Sequence, residues 1–158
     1  MRRYQILIAG TALSTVFAAT AFGATIPVGS STGSAIYYPA DPSSLDGCPC
    51  GAEIAIGAAA GTTGTWTLSG GQTFSIGSGA SGNPNASPYV VVGRGDSSSN
   101  GTITLTGSGT EFSMIGDNTG ATAQIGRQNG TGTLNVHDGA TFSIYDPNST
   151  SPDNDDAI

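Results

Sequence analysis

There is no lysine anywhere in this 158-residue chain. Four arginines face eleven acids, and two of the four are Arg2 and Arg3. A surface so poor in cations assembles no basic patch against phosphates, which excludes nucleic acid as a partner class. Charge of either sign is scarce, at 9% of residues. Histidine occurs once, as His137, and cysteine twice, as Cys48 and Cys50. Two thiols and one distant imidazole do not complete a tetrahedral zinc site. No phosphate-cradling loop or catalytic motif is present, so no cofactor and no metal are expected. Strong helix formers are thin against 25 glycines, and no helical period follows residue 24. A helical or doubly wound α/β fold is therefore excluded.

What is present begins with an export signal over residues 1–23. Arg2 and Arg3 form a short positive region, and Ile6 to Ala19 runs without a charge. Ala19-Thr20-Ala21 then offers a small-residue cleavage site, with Ala21-Phe22-Gly23 as a second option. The apolar run is shorter than the roughly 20 residues that a bilayer span needs. The expectation is an exported chain with no membrane span after the signal is removed. Cys48 and Cys50 stand as one Cys-Pro-Cys pair. In an oxidising compartment these two are a candidate local disulfide, though a strained one.

Residues 52–145 carry an internal repeat. Gly64-Thr65-Trp66-Thr67-Leu68, Gly101-Thr102-Ile103-Thr104-Leu105 and Gly132-Thr133-Leu134-Asn135-Val136 align. Each is followed by a glycine (71, 109, 139) and a second motif: Thr73-Phe74-Ser75-Ile76, Glu111-Phe112-Ser113-Met114 or Thr141-Phe142-Ser143-Ile144. Upstream of each stands a further strand signal ending in glycine, at Ile54–Gly57, Val90–Gly93 and Ala123–Gly126. Every unit thus holds three short segments of period-two alternation, punctuated by glycine and polar pairs.

Two all-β architectures fit three such units. An antiparallel sandwich has no reason to repeat its core residues unit by unit. A solenoid does, because equivalent strands stack in parallel at about 4.8 Å and place like on like. The expectation is a right-handed parallel β-solenoid of about three coils, its hand following the general crossover preference. It stacks Phe74/Phe112/Phe142, Trp66/Ile103/Leu134 and Leu68/Leu105/Val136. Residues 24–51, interrupted by Pro39, Pro42 and Pro49, read as an N-terminal cap or irregular segment with a strand at Ile36-Tyr37-Tyr38. Residues 146–158 read as a disordered acidic tail.

The unit at 125–142, Ile-Gly-Arg followed by Gly-Thr-Leu-x-Val-x-x-Gly-Ala-Thr-Phe, resembles the repeats of bacterial autotransporter passenger domains and related secreted adhesins. The likeness covers about residues 52–145. It implies a surface or extracellular location, outer-membrane-associated or released, with a protein or glycan surface partner. Autotransporters continue with many more coils and a β-barrel translocator, whereas an acidic stretch follows here. The expectation is a short secreted protein or the product of a truncated gene.

Candidate chemistry is sparse. Arg94-Gly95-Asp96 spells an integrin-binding tripeptide in a Gly/Ser-rich corner, although composition alone makes such a tripeptide easy to generate. Arg94 and Arg127 occupy matching corners, with Asp96 or Asp117 as partners for them. Outward threonines at 65/67 and 102/104, above Thr133/Asn135, form a regular array that strand propensity explains. Asp153, Asp155 and Asp156 lack the spacing of a calcium loop. Glu53 and Glu111 are the only glutamates and fall on different coils. No catalytic residue is assigned. The reading is a non-enzymatic adhesin-like scaffold. Its alternatives are a structural protein that self-associates end to end and, more distantly, a β-helical carbohydrate-active enzyme.

Overall fold

A computed structural model describes residues 25–38, 50–77, 87–116, 120–146 and 156–157. The expected signal segment 1–23, Cys48, Asp117 and residues 147–155 lie outside the described residues, as does the side chain of Cys50. The described chain is all-β, and no helix occurs among these residues.

Two short strands come first, β1 (Ser30–Gly33) and β2 (Ala35–Tyr38). The first repeat unit supplies β3 (Cys50–Ile56), β4 (Thr63–Ser69) and β5 (Thr73–Gly77). The second supplies β6 (Ser87–Arg94), β7 (Asn100–Thr106) and β8 (Glu111–Ile115). The third supplies β9 (Ala121–Arg127), β10 (Thr131–His137) and β11 (Thr141–Tyr145), and β12 (Asp156–Ala157) follows. Three sheets result, ordered β1-β4-β7-β10, β11-β8-β5 and β12-β9-β6-β3-β2.

Equivalent strands of the three units pair in parallel. Gly64, Trp66 and Leu68 stand opposite Gly101, Ile103 and Leu105, which stand opposite Gly132, Leu134 and Val136. Phe74 faces Phe112, and Phe112 faces Phe142. Ile54 faces Val90, and Val90 faces Ala123. Inward alternate side chains fill the space between the sheets, and Trp66, Leu68, Ile103, Leu105 and Phe112 are fully buried. Phe112 is the hub. Its ring lies 6.1 Å from Phe74, 5.4 Å from Phe142 and 5.0 Å from Trp66, the last edge-on. Edge-on and offset rings add a little to their burial.

The corners need glycine for two reasons at once. Gly57 and Gly93 have φ of 57° and 65°, a region costly for a side chain. A Cβ on Gly57 would also enter the backbone of Asn100, and one on Gly93 the backbone of Thr131. Each corner is thus pressed against the following unit.

The sheets are not all parallel, and this corrects the expectation of a wholly parallel fold. β1 pairs antiparallel with β4, and β2 antiparallel with β3. Residues 30–38 therefore trace part of a turn around the first unit in the reverse sense. Ser34 sits at the reversal, where its N–H donates to Thr63 O at 2.9 Å and its carbonyl accepts from Gly57 N–H at 2.7 Å. A terminal strand edge satisfies a partner of either direction, so alternation alone does not disclose the sense. The cap is also anchored by side chains. Trp66 Nε1 donates to Val28 O at 2.8 Å, and the Tyr37 ring meets Phe74 edge-on at 5.7 Å. Burial raises the Tyr37 phenol above its usual range. At the other end, Asp156 and Ala157 pair with Ala121 and Thr122 of β9, where the acidic tail was expected to form no element. Main-chain pairing on a strand edge requires no apolar pattern, which is why composition did not reveal it.

Candidate functional site

The Arg94-Gly95-Asp96 corner follows the bend at Gly93. Asp96 holds the corner together through one carboxylate oxygen. Its Oδ1 accepts from Ser98 Oγ at 2.6 Å, Ser98 N–H at 2.9 Å, Ser99 Oγ at 3.1 Å and Gly61 N–H at 3.3 Å. The last bond ties the second unit's corner to the first. Hydrogen bonds from the Ser98 side chain and backbone, then from Gly61, hold the Asp96 pKa at about 2 instead of 3.8. Arg94 is 5% exposed. An integrin-type ligand needs both charged ends presented to solvent. Here Arg94 is buried, while Asp96 is partly exposed and its Oδ1 is taken up within the corner.

Arg94 stands opposite Arg127 in the β6–β9 register. Arg127 Nη1 donates to Tyr89 OH at 3.1 Å and to Gln124 Oε1 at 2.9 Å. These contacts lie on the outward face of the β3–β6–β9 sheet, and they draw attention to a feature missed in the alternation. Glu53, Ala55, Tyr89 and Val91 point away from the main core, yet all four are buried. Ala55, Tyr89 and Val91 form a second apolar cluster with Ala58. Glu53, 2% exposed, stands opposite Tyr89. The uninterrupted apolar run Tyr89-Val90-Val91-Val92 was the available signal, because a strand buried on both faces does not alternate.

His137 ends β10 and is exposed. Its Nδ1 lies 2.7 Å from Asp138 Oδ2, and Thr106 Oγ1 donates to the same carboxylate oxygen at 3.0 Å. The hydrogen bond from His137, followed by that from Thr106, lowers the Asp138 pKa. Thr106 Oγ1 also lies 3.2 Å from His137 Nδ1, so hydroxyl, imidazole and carboxylate form one exposed cluster at the ends of β7 and β10.

The outward face of β4–β7–β10 carries the threonine array, one row wider than the repeats imply. β1 adds Thr32 beside Thr65 and Ser30 beside Thr67. Thr32 and Thr65 hydroxyls meet at 2.7 Å, and Asn135 Nδ2 reaches Thr104 Oγ1 at 3.5 Å. Glu111 opens β8, on a different sheet from Glu53. No group of three or more metal-ligating side chains occurs among the described residues. No helix among them is long and apolar enough to cross a membrane. No protein-family model matches the chain, and neither a curated protein nor a solved structure does.

Proposed function

We propose that this chain is an exported, non-enzymatic scaffold of adhesin type, built as a right-handed parallel β-solenoid, whose outer faces engage a protein or glycan at a cell surface. The observation that carries the reading is the parallel, in-register pairing of like residues across three units on three sheets. Stacked units of this kind repeat their outward residues at a fixed spacing and present them as rows. The Ser30/Thr67/Thr104/Asn135 and Thr32/Thr65/Thr102/Thr133 rows are two such uncharged rows. The two glutamates, Glu53 and Glu111, stand on different sheets. The proposed interaction therefore uses a face and not a cleft, and the Arg94–Asp96 corner is not assigned to it.

Two measurements test the reading. Sequencing the N-terminus of the protein recovered outside the cell should start it at Phe22 or Ala24. An intact Met1 retained in the cytosol would defeat the export half. The purified chain, probed on arrays of extracellular proteins and glycans, should bind saturably and release no reducing ends from polysaccharides. Sustained polysaccharide cleavage would overturn the scaffold and restore the enzyme.

A further inference from the structure

The turn between the first two strands of each unit closes in the same way. Thr62 N–H donates to Ala59 O, Ser99 N–H to Asp96 O and Gly130 N–H to Arg127 O, each at 3.0 Å. Thr63 and Thr131 both stand opposite Asn100, so Gly61, Ser98 and Asn129 occupy matching places on the three turns. All three are exposed. Ser98 is exposed with the third unit stacked on the second, so access at this place belongs to the turn and not to the level in the stack. The third turn carries different chemistry. Gln128 and Asn129 have φ of 54° and 68°, a region that asparagine enters more readily than most side chains. Asn129-Gly130-Thr131 is an Asn-x-Thr tripeptide with both ends exposed. Neither the Asn129 amide nor the Thr131 hydroxyl is hydrogen-bonded among the described residues.

We infer that Asn129 is an acceptor for N-linked glycosylation, its sugar projecting from this turn into solvent. Asn-x-Ser/Thr with x other than Pro is the acceptor pattern on surface loops of secreted chains. The inference rests on the export reading, because the chain must meet a glycosyltransferase on its way out. The chemistry is a group transfer in which nothing is oxidised or reduced. The sugar arrives as its diphosphate ester, held by that transferase. A bond forms between Asn129 Nδ2 and the anomeric carbon. The bond from that carbon to the diphosphate oxygen breaks, the diphosphate leaves with the electron pair, and Nδ2 gives up one proton. An attached glycan is bulky and needs open space around its acceptor, which the exposed turn supplies. Asn100-Gly101-Thr102 has the same pattern in a tighter place. Asn100 Nδ2 donates to Ser98 O at 3.2 Å, and its strand is paired on both sides. Asn85 and Asn148 head two more such tripeptides and lie outside the described residues.

The test is peptide mass spectrometry of the full chain recovered from the producing cells and their medium, read together with its N-terminus. Asn129 should carry a sugar in most copies and Asn100 none. Thr131→Ser keeps the hydroxyl and should keep the sugar. Thr131→Ala leaves Asn129 in place and should lose the sugar, as should Asn129→Gln. Where Asn129→Gln fails to fold, the two Thr131 variants decide, since Thr131 is exposed and its truncation leaves the core intact. A bare Asn129 on a chain that begins at Phe22 or Ala24 overturns this proposal and leaves the export reading standing. A bare chain that retains Met1 overturns both. A sugar that survives Thr131→Ala, or one carried by Asn100 and not by Asn129, also overturns the proposal.

Discussion

The second and third units place like residues at the same register positions, yet they differ in how those residues are held. Phe112 has a phenylalanine ring on either side and is fully buried, whereas Phe142 has one on the Phe112 side among the described residues and stays partly exposed. Ile103 is buried and Leu134 only partly so. The alternation within a strand decides which side chains face inward. How far they are buried is decided by the strand stacked on the next level. In a stack of units, stability is therefore a property of interfaces more than of units.

The largest expected effect tests this directly. Phe112→Ala removes a side chain shared by two interfaces. Truncating a buried phenylalanine costs about 3–5 kcal/mol through lost burial and the cavity left behind. Against a total stability that is usually about 5–15 kcal/mol, such a loss reaches most of the domain. Phe142→Ala removes a contact to one side only and should loosen the third unit while the first two persist. Urea unfolding followed by intrinsic fluorescence separates the two, because Trp66 lies in the first unit and packs against Phe112 of the second at 5.0 Å. Equal damage from the two substitutions would mean that the units do not act as a chain of neighbours.

Glycine corners sharpen the same contrast with a smaller effect. Gly93 and Gly126 are equivalent and both have positive φ, 65° and 75°. An added Cβ at Gly93 meets the Thr131 backbone of the next unit. At Gly126 the nearest atoms are 3.4 Å away, on Gly130 and Gly132 of its own unit. Gly126→Ala should cost only the left-handed penalty, roughly 1–2 kcal/mol. Gly93→Ala should cost that penalty plus displacement of the third unit. The difference in thermal midpoint between the two variants measures the part of the corner that belongs to stacking.

Which features were readable in the residues follows from the same physics. Strand positions and the Phe74/Phe112/Phe142 register were legible because corners demand glycine and stacked strands demand like partners. The direction of β1 and β2 was not, since a strand edge accepts either sense and Ser30–Gly33 carries no apolar alternation. Burial of Glu53 and Tyr89 was hidden by treating every strand as one-sided, although the run at 89–92 was continuous. For the Arg94–Asp96 tripeptide, composition disclosed only a Gly/Ser-rich corner. Two of its serines, Ser98 and Ser99, are donors to Asp96.

That corner supplies the smallest effect, and it compares the first–second junction with the second–third. Asp96 joins unit two to unit one through Gly61 N–H, at 3.3 Å. At the matching position after Arg127 the third unit has Gln128 and Asn129, both at positive φ, and no carboxylate. The Asp96 pKa is depressed from 3.8 to about 2 in the folded chain. A depressed folded-state value means that the unfolded chain takes up the proton first as pH falls. The stabilising contribution is therefore complete above pH 3.8 and lost as pH drops through about 2. Asp96→Asn keeps an accepting oxygen but no charge, and it should be less stable than the parent at neutral pH. The gap in urea midpoint between the two proteins should narrow below pH 4 and close near pH 2, while Asp138, unaltered in both, cancels from the difference. A gap that stayed constant with pH would show that the corner is held by its geometry and not by the charge of Asp96.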